Sequence, residues 1–123
     1  MIHIIRVGFK EGEIDALGES IKEEIETFFS LNVTSVATRR VYTIDADLSQ
    51  EEVDLLIHDL FVDPITERLC TYDDEEFDWL IEVGYKPGVT DNVGNTSKNV
   101  AIPTVIRRRL KDEENVYTST QYL

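Results

Sequence analysis

Basic residues are scarce in this chain: 12 Lys and Arg stand against 25 Asp and Glu, a net charge of −13. Such a surface cannot neutralise a phosphate backbone, which argues against a nucleic-acid partner. Anionic membrane surfaces are disfavoured for the same reason. A single cysteine, Cys70, leaves no intrachain disulfide and so disfavours a disulfide-built secreted scaffold. A lone cysteine reads instead as a small apolar core residue. No apolar run is long enough to span a bilayer and the N-terminus has no signal-peptide pattern, so a cytoplasmic protein is expected. The two histidines, His3 and His58, and the one cysteine are scattered with no zinc-ligand spacing. Neither G-x-x-x-x-G-K-[ST] nor G-x-G-x-x-G is present, and no serine or cysteine sits in a nucleophile elbow. Catalysis is not visible in the residues themselves.

What the chain does have is a repeat. Val7-Gly8-Phe9-Lys10-Glu11-Gly12, running on through Asp15 to Gly18, returns 76 residues later as Val83-Gly84-Tyr85-Lys86-Pro87-Gly88, running on through Asp91 to Gly94. From Ile5 to Gly18, seven of fourteen positions are identical in the second copy, without a gap. Val41-Tyr42-Thr43 has a second echo, Val116-Tyr117-Thr118, at an offset of 75. Two echoes in one order mark a duplicated supersecondary unit.

Each copy reads as strand, helix, strand. His3, Ile5, Val7 and Phe9 alternate with polar or small residues, the period of a half-buried strand; Phe77, Trp79, Ile81, Val83 and Tyr85 repeat that face. Asp15 and Asp91 are N-cap residues. Leu17, Ile21, Ile25, Phe28 and Phe29 then come at helical spacing. In the second copy Pro103 falls inside the apolar stripe, and a kink or break is expected there. Residues 33–47 read as one long strand. Ser49-Gln50-Glu51-Glu52 is a capping box that opens a helix with Val53, Leu56, Ile57, Leu60 and Phe61 on its inner side. Asp63-Pro64 ends it, and residues 65–71 suit a short edge strand. The expected fold is α+β: two tandem units, 1–72 and a truncated 73–123, forming one domain with a pseudo-dimeric sheet and helices on one face. Apolar surface is expected to stay uncovered near Val116, Tyr117 and Tyr122, favouring a homo-oligomer.

The candidate sites are the two strand-to-helix corners. A helix N-terminus offers free N–H groups and a positive dipole end, so Gly12 and Gly18, with Gly88 and Gly94, outline two possible anion sites. Asp15 and Asp91 bring negative charge to the same spots. The plainer reading makes Gly12 and Gly88 turn residues, the aspartates caps, and Gly18 and Gly94 points of close helix approach. Asp45 and Asp47, and the run Asp73, Asp74, Glu75 and Glu76, have the chemistry to bind a hard cation, but in an acidic chain they read as solvated surface. No metal or cofactor is expected in this segment. Arg107-Arg108-Arg109 ends a helix, where positive charge suits the dipole.

Taken in order, these segments resemble a family. Val7-Gly8-Phe9-Lys10-Glu11-Gly12 with Asp15-Ala16-Leu17-Gly18-Glu19-Ser20-Ile21, then Val41-Tyr42-Thr43-Ile44 and Asp63-Pro64-Ile65-Thr66-Glu67, are similar to the PurS subunit of phosphoribosylformylglycinamidine synthase over residues 1 to about 70. The second copy is similar to the continuation found in fused enzymes, where two such units precede the synthetase. The resemblance implies a non-catalytic assembly role in purine biosynthesis. Its partners would be the synthetase and glutaminase parts of the same enzyme, and ATP and magnesium would belong to the whole ligase. Asp63 stands where the family usually has Asn, and the second unit lacks a final helix and strand, as an excised N-terminal fragment would. The alternative is a regulatory domain that binds a small molecule between duplicated α+β units.

Overall fold

Alternation of apolar residues draws Ile2–Phe9 into strand β1, the centre of the expected first unit. The computed structural model describes residues 1–71, 77, 79–85, 90–111 and 113–123. After β1 come helix α1 (Ala16–Phe29), β2 (Thr38–Asp45), α2 (Gln50–Leu56) and β3 (Glu67–Cys70). The second half supplies β4 (Ile81–Gly84), α3 (Asn92–Thr96), α4 (Ile102–Ile106) and β5 (Asn115–Tyr122). Two π-helical turns complete the helices: Ile57–Phe61 continues α2, and Ser97–Ala101 joins α3 to α4. The strands form one antiparallel sheet in the order β3-β1-β2-β5-β4. The fold is α+β, as expected.

Helices gather on one face of the sheet. Ile5, Val7, Tyr42, Ile44 and Val116 share that face and are buried beneath Val53, Leu56, Phe61 and Ile102. The Phe61 ring stacks on Tyr42 with centroids 4.2 Å apart. The Ser49 capping box is formed, and the α2 stripe reaches the core as its spacing requires. Pro103 lies in the first turn of α4, directly after the π turn. Proline has no N–H to donate, and the register changes where that bond is missing. Cys70 is buried, as its solitary occurrence suggested. The opposite face also carries buried groups, among them Arg39, Val41 and Gln121.

The two halves meet where β2 pairs with β5. The register about that seam is self-consistent: Thr38 lies opposite Tyr122, Tyr42 opposite Thr118, and Arg40 opposite Thr120 midway between. Ile5 lies opposite Tyr42 as Ile81 lies opposite Tyr122, and Val7 opposite Arg40 as Val83 lies opposite Thr120. The first strands therefore correspond at an offset of 76, and the second strands at 80. In register, the β1–β2 and β4–β5 pairings are related about the Arg40–Thr120 pair.

Several expectations change. The echo of Val41-Tyr42-Thr43 in Val116-Tyr117-Thr118 is not a structural correspondence. Tyr42 is buried, whereas Tyr117 pairs with Thr43 on the opposite face and is exposed. An odd shift in register reverses every side chain, so an offset of 75 cannot stand in for 80. β2 begins at Thr38 rather than 33, because the backbone N–H of Thr38 is drawn to the Asp15 carboxylate. β4 spans only Ile81–Gly84, and Trp79 beside it is exposed. The apolar stripe of α1 is not in the core: Leu17, Phe28 and Phe29 are exposed, since no described element packs over them. Of the residues expected to stay uncovered, Val116 is buried, Tyr117 is exposed and Tyr122 is half-buried, and further exposed apolar side chains lie on β4 and α1.

Candidate functional site

Each corner between a first strand and its helix is organised by one aspartate. Asp15 Oδ1 accepts from the Gly18 N–H at 2.9 Å and from Thr38 Oγ1 at 2.9 Å. Its Oδ2 accepts from the Thr38 N–H at 2.6 Å. Asp91 repeats the set: Gly94 N–H at 2.8 Å, Thr118 Oγ1 at 2.8 Å and Thr118 N–H at 2.7 Å. One carboxylate thus caps a helix and clamps it to the start or middle of a neighbouring strand. Charge-assisted bonds of this kind are short and roughly twice as strong as neutral ones.

The glycines serve the same joint. A Cβ on Gly18 would lie 2.2 Å from the Val36 carbonyl oxygen, and one on Gly94 would lie 2.5 Å from that of Val116. Val36 and Val116 are again 80 residues apart. Gly12 turns the chain with φ +88 and has open space around it. Gly88 lies outside the described residues, as do Asp73, Asp74, Glu75 and Glu76. At both helix N-termini the N–H that an incoming anion would take first, that of Gly18 or Gly94, is already given to the protein's own carboxylate.

Thr38 and Thr118 were not legible as partners of these aspartates. The signal was there in Thr38-Arg39-Arg40-Val41-Tyr42 and Thr118-Ser119-Thr120-Gln121-Tyr122, a Thr-x-x-x-Tyr echo 80 residues apart. Two matching residues in five were outweighed by the three consecutive matches of the misleading echo.

A second polar cluster ties the halves together. Arg108 Nε donates to Glu52 Oε2 at 2.8 Å and Arg108 Nη2 to the Asp47 carbonyl at 2.8 Å. The Arg108 hydrogen bond, helped by the Ser49 N–H, holds the Glu52 carboxyl down to about 2. Buried Glu114 accepts from the Lys111 N–H at 2.8 Å and the Asp47 N–H at 2.6 Å, and these bonds lower its pKa. Of the three arginines, Arg107 closes α4 in the left-handed conformation and Arg108 makes the ion pair. His58 is exposed and His3 half-buried. Among the described residues no group of three His, Cys, Asp or Glu is placed to hold a metal ion, and no described helix is long and apolar enough to cross a membrane.

A cleft of about 390 Å³ lies over the β2–β5–β4 part of the sheet. Arg40, Tyr42, Val83, Tyr85, Val93 and Tyr122 are among its walls. Arg40 reaches Glu67 at 2.5 Å, so its charge is partnered. Comparison with protein-family models, with curated proteins and with solved structures finds no match.

Proposed function

We propose that this chain is a PurS-like assembly domain of phosphoribosylformylglycinamidine synthase. In this reading it works in the cytoplasm. It holds the synthetase and glutaminase parts of that enzyme so that ammonia released from glutamine reaches the ATP-activated substrate. ATP and magnesium act in the synthetase part, and this domain contributes rigidity and surface. The observation that carries the reading is the seam between β2 and β5, which sets two like-registered halves in one sheet as two PurS subunits would pair. The motif order in residues 1 to about 70 supplies the family. Both corners commit their helix N-termini to internal clamps, which suits a structural part better than a reacting one.

The assay uses the intact enzyme carrying Ile44→Asp. Ile44 is wholly buried in the sheet, and an unpaired charge there should unfold the domain. Glutamine-dependent amidine formation should fall at least tenfold while ammonia-dependent formation falls much less, and Ile44→Val should keep both. Full activity from both nitrogen sources in the Asp variant would overturn the assembly role. A regulatory domain for a small effector is the second reading, favoured by the cleft beside Tyr122. It predicts an unchanged ratio of the two activities and a lost response to effector.

A further inference from the structure

Positive charge is unevenly placed in this chain. Residues 92–111 carry Lys98, Arg107, Arg108, Arg109 and Lys111 and no Asp or Glu, although the whole sequence sets 25 acids against 12 bases. With carboxylates in such excess each exposed cation is expected to find one, and Arg108 does so in Glu52. Arg107 and Arg109 do not. Both are exposed, and no carboxylate among the described residues pairs with either.

The helix end does not require them. Cations are favoured near a helix C-terminus, but the first half of the chain makes the same ending without one. α1 closes on Ser30, left-handed at φ 53, and runs on into Leu31 and Asn32, with no basic residue in its last turn. α4 closes on Arg107, left-handed at φ 61, and runs on into Arg108 and Arg109. Glycine or asparagine holds a left-handed helix end at lower cost than arginine does. The arginines therefore answer a need other than capping.

The surface beside them offers more than charge. Ile102 is buried, and Val105 and Ile106 pack on the core, which turns the other side of this segment outward. There an open hollow of about 380 Å³ is bounded by Val100, Pro103, Thr104 and the three arginines, and no carboxylate is among its described lining residues. Val100 is 60% exposed in it, and Thr104 Oγ1 is turned back on the Val100 carbonyl at 2.7 Å. An apolar floor thus adjoins a cationic rim.

We propose that this outer face of α4 is a docking surface for an acidic segment of a partner protein, in which carboxylates flank an aliphatic side chain. The guanidinium groups of Arg107 and Arg109 take the carboxylates in paired hydrogen bonds. The aliphatic side chain covers Val100 and Pro103, and that apolar contact supplies what exposed ion pairs lack when they stand alone. The net charge of −13 does not oppose such a partner, because at physiological salt a charge is felt over about 8 Å and the surface met here is basic. A long polyanion such as nucleic acid would run beyond the patch onto carboxylates. The assignment stands apart from the enzyme family proposed above.

The test titrates the isotope-labelled whole chain with a short capped peptide of alternating Glu and Leu, with its Gln–Leu and Glu–Ser counterparts, and with inorganic pyrophosphate, following amide shifts. The Glu–Leu peptide should shift residues 99–109 and saturate below millimolar concentration, with each of the other probes at least fivefold weaker. Arg107→Gln with Arg109→Gln should weaken it at least fivefold, whereas Lys10→Gln with Lys22→Gln, the same loss of charge, should leave it within twofold. Val100→Ser, which changes no charge, should weaken it at least threefold. Absence of shifts at 99–109, equal binding of the Gln–Leu peptide, or equal weakening by the two lysine changes would overturn the proposal. Pyrophosphate binding there as tightly as the peptide would make it a small-anion site instead. Shifts at 99–109 that grow with protein concentration alone would make a second copy the occupant and overturn it equally.

Discussion

Replacing Asp91 with Ala removes three hydrogen bonds from one atom group: those from the Gly94 N–H, the Thr118 N–H and Thr118 Oγ1. The loss of an N-cap costs about 1 kcal/mol. The Thr118 amide is half-buried, and leaving such a donor without its charged acceptor adds about 1–3 kcal/mol. The total is about 2–4 kcal/mol. For a urea slope of about 2 kcal/mol/M this moves the unfolding midpoint down by roughly 1–2 M. Asp15→Ala should cost a similar amount, because its carboxylate makes the same bonds to Gly18 and Thr38. The two aspartates share no partner, so the double variant should lose close to the sum. Asp91→Asn is the sharper probe. An amide keeps one acceptor but presents N–H groups to a site that needs acceptors on both sides, so it should recover less than half of the loss. Urea titrations followed by far-UV circular dichroism decide the matter. A midpoint shift below about 0.3 M for Asp91→Ala, or full recovery by Asn, would refute the view that this carboxylate clamps helix to strand.

Two further outcomes test the packing and the charge pairing. Ile102→Ala empties a fully buried position and should cost about 2–5 kcal/mol, whereas Ile25→Ala, at a half-buried position on α1, should cost under about half of that; paired thermal melts give the comparison. Glu52 is held from its ordinary 4.5 to about 2 by Arg108 and Ser49, so its stabilising contribution is present above pH 4.5 and is lost as pH falls toward 2. Because the pair is partly exposed the contribution is about 1 kcal/mol or less, and Arg108→Ala should remove most of that slope from stability measured between pH 5 and 2.

The elements that the sequence made legible are those with local causes. The capping box at Ser49, the stripe of α2, the stop at Asp63-Pro64 and the cap at Asp15 each depend on residues within one or two turns. The α+β class followed from their order. What escaped was set across the sheet. The start of β2 at Thr38 depends on a carboxylate 23 residues earlier. The true echo of Thr38 and Tyr42 depends on pairing between β2 and β5, which no local window contains. Of the candidate site, the plainer reading of Gly12, Gly18 and Gly94 was readable from spacing, because a turn, a cap and a close approach are properties of the corner itself. The threonines that complete each corner belong to the second strand and lay beyond it.

The exposed stripe of α1 marks where periodicity stops informing. Leu17, Ile21, Ile25, Phe28 and Phe29 define an amphipathic helix as plainly as the stripe of α2 does, yet α2 is buried and α1 is not. Periodicity reports that a helix face is made to be covered; it says nothing of which element covers it. In the first half the cover is α2, delivered by the chain directly after β2, and it also fills the space above Ile5 and Val7. The second half presents the same strand pairing, the same capped helix and a left-handed C-cap at the same place, but Ile81 and Val83 face open space. The cleft at Tyr122 lies over this exposed part of the sheet. Its floor repeats the residues that bind Phe61, and its walls offer one partnered arginine and little other charge.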